Sequence, residues 1–157
     1  MSDTIIRTEK LGRDFKSVTA VDDLTLEVQA GTVFGFLGPN GAGKTTTIRL
    51  LLGLIEPTRG RAEVLGRDVR TGADEIRALS GALLEHNGLY ERLSAEDNLD
   101  FYARIWRLPE GERKSRVREL LTHFGLWERR ADTIKDWSRG MKQKLAVART
   151  LIHRPRL

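Results

Sequence analysis

Cysteine is absent from the 157 residues. That excludes disulfides, thiolate metal sites and a cysteine nucleophile, and it suits a reducing cytoplasm. Long apolar runs are absent too. The longest, Leu50 to Ile55, is broken by Gly53, and a membrane-spanning helix needs roughly 20 residues. The opening MSDTIIRTEK has no apolar core behind a basic head, so no secretory leader is expected and any membrane role is expected to run through a partner. No internal repeat, low-complexity tract or linker interrupts the chain. What is present reads as globular: 39% hydrophobic and 31% charged residues. Lys and Arg number 27 against 22 Asp and Glu, a net charge of +5. Such an excess suits a polyphosphate or an anionic membrane surface but is too small to require nucleic acid, and scattered along helices it is equally a solvated surface.

Hydrophobic periodicity sets the order of elements. Residues 4–11 and 24–28 read as strands, the second with Leu24, Leu26 and Val28 alternating with Thr25 and Glu27. Val33 to Leu37 is a short apolar run closed by Gly31 and Gly38, which predicts a strand buried on both faces. From Lys44 the period becomes helical, with Ile48, Leu51, Leu52 and Ile55 on one face and a stop before Pro57. A turn at Pro57 to Gly60 precedes a strand at 61–65, a short helix at 74–79 and a strand at 81–85.

Beyond residue 94 the chain reads as helical. Ser94 and Asp97 form a start resembling a capping box. Leu99, Tyr102, Ala103 and Trp106 make the first stripe. Val117, Leu120, Leu121 and Phe124 make the second, with Gly125 as its stop, and Met141, Leu145, Ala148 and Ile152 make the third. Strands, a phosphate loop and then helices predict an α/β core carrying a helical insertion.

The chemistry-bearing motif is Gly38-Pro39-Asn40-Gly41-Ala42-Gly43-Lys44-Thr45, with Thr46 following. It satisfies G-x-x-x-x-G-K-[ST] at every specified position. Glycines let backbone N–H groups close around phosphate oxygens. The helix that begins at Lys44 offers free amides and the positive end of its dipole. Lys44 adds a charge for the β- and γ-phosphates, and the Thr45 hydroxyl is a ligand for Mg²⁺. Its place between an apolar run and an amphipathic helix is the context the motif requires. The loop alone fits kinases, GTPases, helicases and transporters equally, although no N-K-x-D guanine-reading motif accompanies it.

The residues that separate these lie further on. Trp137-Ser138-Arg139-Gly140-Met141-Lys142-Gln143-Lys144-Leu145 resembles the signature of ABC transporter ATP-binding subunits, in the form common among drug-export types. Ser138 and Gly140 match, while Trp137, Arg139 and Met141 stand where Leu, Gly and Gln are usual. Ala146 to Pro155 looks like the helix that follows the signature. Ala20 to Leu24 looks like the N-terminal strand region, and Gly88-Leu89-Tyr90 with Leu93 and Asn98-Leu99 like the segment after the Q-loop. The resemblance covers essentially the whole chain.

It implies a P-loop NTPase (RecA-like) core with N-terminal antiparallel strands and a helical signature subdomain. The corresponding division is a nucleotide-binding core at 1–85, a helical subdomain at 86–138 and a signature helix at 139–157 that returns to the core.

It also implies roles for single residues. Phe15 stands where an aromatic stacks on adenine, the alternative being a core phenylalanine. Ser138 caps the following helix and, with Arg139, Gly140 and Met141, meets the γ-phosphate held by a second ATP-binding subunit. Glu85 takes the position of the Q-loop Gln. It keeps an oxygen for Mg²⁺, or else is a solvated loop carboxylate.

The implied cofactors are ATP and Mg²⁺. The implied partners are a transmembrane permease subunit and a second ATP-binding subunit, with no nucleic acid, on the inner face of the cell membrane. The family's metal-binding Asp, water-activating Glu and switch His are expected beyond Leu157, so no catalytic residue is assigned and turnover by these residues alone is not expected. His86, His123 and His153 do not match the switch position, and His153 reads as a cation near a helix C-terminus. Soluble non-transport ABC proteins and a regulatory product that only binds nucleotide are the competing expectations.

Overall fold

The computed structural model describes residues 4–157. They divide at Ser80/Gly81 into two units.

The first unit is built on a long hairpin. Strands β1 (Thr4–Phe15) and β2 (Val18–Gln29) pair antiparallel from Thr4↔Gln29 to Phe15↔Val18. Their alternation extends the sequence expectation to the whole of 4–29. On the other edge of β1 lies β3 (Arg59–Val64), antiparallel in turn to the short β4 (Arg67–Asp68), giving the order β2-β1-β3-β4. One face of this sheet packs on α1 (Lys44–Leu51) and α2 (Ala73–Ala78). Leu11, Val21, Leu50, Ala62, Val64, Val69 and Ile76 form the core between them. Fully burying one such aliphatic side chain is worth about 1.5–3 kcal/mol. Helix α1 ends four residues short of Ile55. Gly53 adopts φ 61 there, and a Cβ at that position would lie 2.8 Å from the Val69 carbonyl oxygen.

Two expected strands are not formed. Residues 33–37 run without strand pairing, and Val33 and Leu37 are essentially fully exposed, at 104% and 92%. Residues 81–85 are likewise irregular. A strand buried on both faces exists only through ladder hydrogen bonds to neighbours. Among the described residues no segment forms a strand ladder with either stretch, although the Gly81 amide donates to the Leu157 carbonyl at 2.8 Å. The apolar run has the composition of a central strand without the partners that would make it one.

The second unit is helical. Helices α3 (Ala95–Ile105), α4 (Glu110–His123) and α5 (Arg139–Thr150) enclose a core that includes Leu99, Leu121, Ile134, Trp137, Leu145 and Ile152. The Ser94 hydroxyl accepts from the Asp97 amide at 3.0 Å and donates to the Asp97 carboxylate at 2.6 Å, so the start read from sequence is formed by both residues. Helix α4 stops before Gly125 as its stripe predicts. Asn98, wholly buried on α3, fixes the preceding loop. Its side-chain oxygen accepts from the Tyr90 amide at 2.8 Å, and its nitrogen donates to the carbonyls of Tyr90 and Ser94. Asp100 ties α3 to the start of α4 by accepting from Arg104 at 2.6 Å and Arg113 at 3.0 Å. Burial disfavours the Asp100 carboxylate. The hydrogen bonds and charges of the two arginines outweigh it and hold its pKa below the ordinary aspartate value.

Candidate phosphate-binding site

In the first unit the loop 38–43 leads into α1 through Gly43, which adopts φ 80. A Cβ there would fall 2.2 Å from the Ala20 carbonyl oxygen and 3.4 Å from a Val21 methyl. Only glycine therefore lets the loop close on β2. Gly41 also sits at positive φ, with open space where a Cβ would project. The loop is exposed from Gly38 to Ala42 and braced by a hydrogen bond from the Ala42 amide to the Pro39 carbonyl at 3.2 Å.

No side chain caps the start of α1, and its first turn contains no acidic residue. The amides of the first turn and the positive helix end are thus left for an anion. The Lys44 ammonium donates to the carbonyls of Gly38 and Pro39, both at 2.7 Å, which holds a cation at the rim of the loop. Thr45 and Thr46 are half-buried in the first turn. Thr47, buried behind them, bonds back to the Gly43 carbonyl at 3.0 Å. A glycine cradle, uncapped amides and one fixed ammonium fit a polyphosphate.

Phe15 belongs to the same unit. It closes β1 at the hairpin end, 42% exposed, and so is not a core phenylalanine. Ala20, which meets Gly43, lies two residues beyond the Val18 paired with Phe15. The hairpin therefore joins the aromatic to the phosphate loop. Arg13, which sequence reasoning passed over, holds its guanidinium carbon 4.5 Å from the centre of the Phe15 ring. The available signal was an arginine two residues before an aromatic on one strand, where side chains share a face.

The remaining site positions lie in the second unit. Ser138 is the N-cap of α5, its hydroxyl accepting from the Met141 amide at 3.3 Å. Arg139 and Gly140 are exposed in the first turn, with open space at Gly140, while Met141 is half-buried against the helical core. Trp137 is 5% exposed and packs within that core. Lys142 braces the segment by donating to the Lys135 carbonyl at 2.8 Å and pairing with Glu91 at 2.7 Å. Glu85 is exposed in the irregular stretch that opens this unit. His153 lies just beyond α5, stacked on Trp106 with ring centres 4.0 Å apart. Among the described residues no helix is long and apolar enough to cross a membrane.

Comparison with known proteins agrees with this geometry. The family pattern described as ABC transporter matches residues 21–157. The chain is 42% identical to the bacitracin transport ATP-binding protein BcrA of Bacillus licheniformis, over 98% of its own length and 49% of that protein's. It is 39% identical to the daunorubicin resistance ATP-binding protein DrrA3 of Streptomyces coeruleorubidus, over 99% of its own length and 49% of that protein's. Among solved structures it superposes on cbiO1 of Clostridium perfringens, part of the ABC transporter complex cbiONQ, with a TM-score of 0.87 at 26% identity. That match covers 98% of this chain and 63% of the other. The chain thus spans about half the length of the curated relatives it matches. The chain therefore belongs to the ABC transporter family of ATP-binding proteins.

Proposed function

We propose that this chain is the nucleotide-binding part of an ATP-driven export pump, coupling ATP binding and hydrolysis to transport through a transmembrane permease subunit. The observation that carries the proposal is the phosphate loop: an uncapped helix start, free of acidic residues, opened by Gly43 pressed against Ala20 with Lys44 held at its rim. In this reading the amides of Gly41 to Thr46 and the Lys44 ammonium hold the β- and γ-phosphates. Lys44 exchanges its loop carbonyls for phosphate oxygens. The Thr45 hydroxyl holds Mg²⁺, whose charge offsets that of the phosphates, and Glu85 at the Q-loop position is a second candidate oxygen. Phe15 stacks on the adenine.

Ser138, Arg139, Gly140 and Met141 present the start of α5 to the nucleotide of a second ATP-binding subunit, in a homo- or heterodimer. Residues 1–85 act as the nucleotide core, 86–138 as the helical subdomain and 139–157 as the signature helix. The assembly works on the inner face of the cell membrane and not on nucleic acid. The likeness to proteins named for bacitracin transport and daunorubicin resistance supports export.

The test is Ser138→Arg in the full-length protein assembled with its permease. ATPase turnover should fall by roughly 100-fold, the scale of losing a donor to the transferring phosphate, while ATP affinity of the isolated subunit stays as it was. Unchanged turnover would remove the signature from the hydrolytic site.

A further inference from the structure

Arg13 and Phe15 meet near the end of β1, where the register with β2 is irregular on both sides of Arg13, and the neighbours of Arg13 make it an unusual surface arginine. Leu11 is fully buried against α1, and Arg13 pairs across the hairpin with Val21. Val21 is the residue whose methyl touches the position of Gly43 in the phosphate loop. Arg13 is half-buried. Its Nη1 donates to the Glu56 carbonyl at 2.8 Å, and its Nε is buried without a hydrogen-bond partner. The guanidinium lies over the Phe15 ring, 4.5 Å from its centre.

A separate ion-pair group lies nearby. There Asp14 and Asp22 both accept from Arg59, and among the described residues no ion pair includes Arg13. A buried, unpaired Nε costs stability, and a salt-bridged arginine would avoid that cost. What the arrangement gains is a cation held flat on one face of an aromatic ring.

We propose that Arg13 is a positioning residue for adenine recognition: anchored on the Glu56 carbonyl, it clamps one face of Phe15 and leaves the opposite face for the base. The proposal rests on the reading of Phe15 as the adenine platform and adds a residue to it. Phe15 stands at the end of a strand beside the turn at Lys16, where φ is 48, and a side chain there has little packing to fix it. The guanidinium limits the ring to one orientation before nucleotide arrives, so less freedom is lost on binding. It also makes the platform one-sided, which sets the direction from the base to Lys44.

The experiment measures binding of ATP and of inorganic triphosphate to the full-length protein and to Arg13→Met, Arg13→Lys, Phe15→Ala and the Phe15→Ala/Arg13→Met double variant. Arg13→Met keeps the stem and removes the cation. It should weaken ATP about two- to fivefold, the usual worth of a cation–π contact, and leave triphosphate unchanged. Arg13→Lys should recover most of the loss, and it keeps the test available if the methionine variant does not fold. In the Phe15→Ala background, Arg13→Met should add nothing. Equal weakening of ATP and triphosphate would show that Arg13 acts as a general attractant for phosphate and would overturn the clamp. So would a full additional loss in the double variant. If Phe15→Ala weakens ATP and Arg13→Met does not, the clamp alone fails. If Phe15→Ala leaves ATP unchanged, the adenine platform fails and the clamp with it.

Discussion

Each of the two units of this chain opens one helix, α5 and α1, at a position where the proposed function places phosphate, and the two starts are built differently. In the helical unit, α5 begins at an exposed serine cap set on a packed base: Trp137 is buried, Lys142 braces the preceding loop, and Leu145 and Ile152 close a core shared with α3 and α4. In the sheet unit, α1 begins at a glycine with no cap, the loop before it is exposed, and the apolar run leading into that loop is unpaired. The first helix start is finished by its own side chains. The second leaves its amides open and spends a lysine on its own carbonyls. A cap satisfies donors and stabilises, whereas an uncapped start keeps donors available for a ligand. The difference separates a capped, braced helix start from an open one within one short chain.

The comparison breaks most readily at Lys44. Replacing it with alanine should weaken ATP by roughly 3 kcal/mol or more, taking about 1.5–3 kcal/mol for each charge-assisted bond lost. The thermal stability of the helical unit should not change. Titration calorimetry beside a melting curve reads both. Near-normal affinity in a folded variant would mean the open loop is not where nucleotide binds.

A change of similar size but opposite address is Leu99→Ala. Leu99 is completely buried in the helical core. Its truncation should cost about 2–5 kcal/mol of that unit's stability and leave ATP affinity close to that of the unaltered protein. Chemical denaturation followed through tryptophan fluorescence checks it, because all three tryptophans lie in this unit.

The smallest effect sharpens the helical side. The folded pKa of Asp100 is depressed, so the stability it contributes is full above the ordinary aspartate value and is lost as pH falls through the folded one. The helical unit should therefore weaken on acidification below about pH 4. Asp100→Asn should cost about 1 kcal/mol or less at neutral pH and make that acid limb shallower. Urea midpoints measured from pH 7 to pH 3 show whether the two curves converge.

The same contrast explains what was legible in the sequence. The helical stripes, the Ser94 and Ser138 caps and the stop at Gly125 depend on residues three or four positions apart, and the folded unit forms them except at the stripe ends, where Trp106 lies past α3 and exposed and Ile152, though buried, lies past α5. The phosphate loop was legible because its spacing is local chemistry. The strands expected at 33–37 and 81–85 were not formed, because apolar composition shows which faces a strand can bury but not which remote segment will pair with it. Arg13 was passed over for a related reason. On a strand a cation–π pair at i, i+2 looks like any alternation of charge and aromatic until the ring and the guanidinium are placed. Asn98 stands out in the sequence only as part of the segment that looks like the one after the Q-loop, yet its burial and its bonds to the 90–94 loop make it the pin of that segment.

Amide hydrogen exchange with and without Mg-ATP tests the division of labour most directly. Added nucleotide should slow exchange at residues 40–46, where amides are exposed or uncapped, and at the hairpin end around Phe15. The amides of α3 and α4, already protected by their own core, should exchange as before. Unaltered exchange across 40–46 under saturating nucleotide would contradict the assignment of the open helix start as the binding loop.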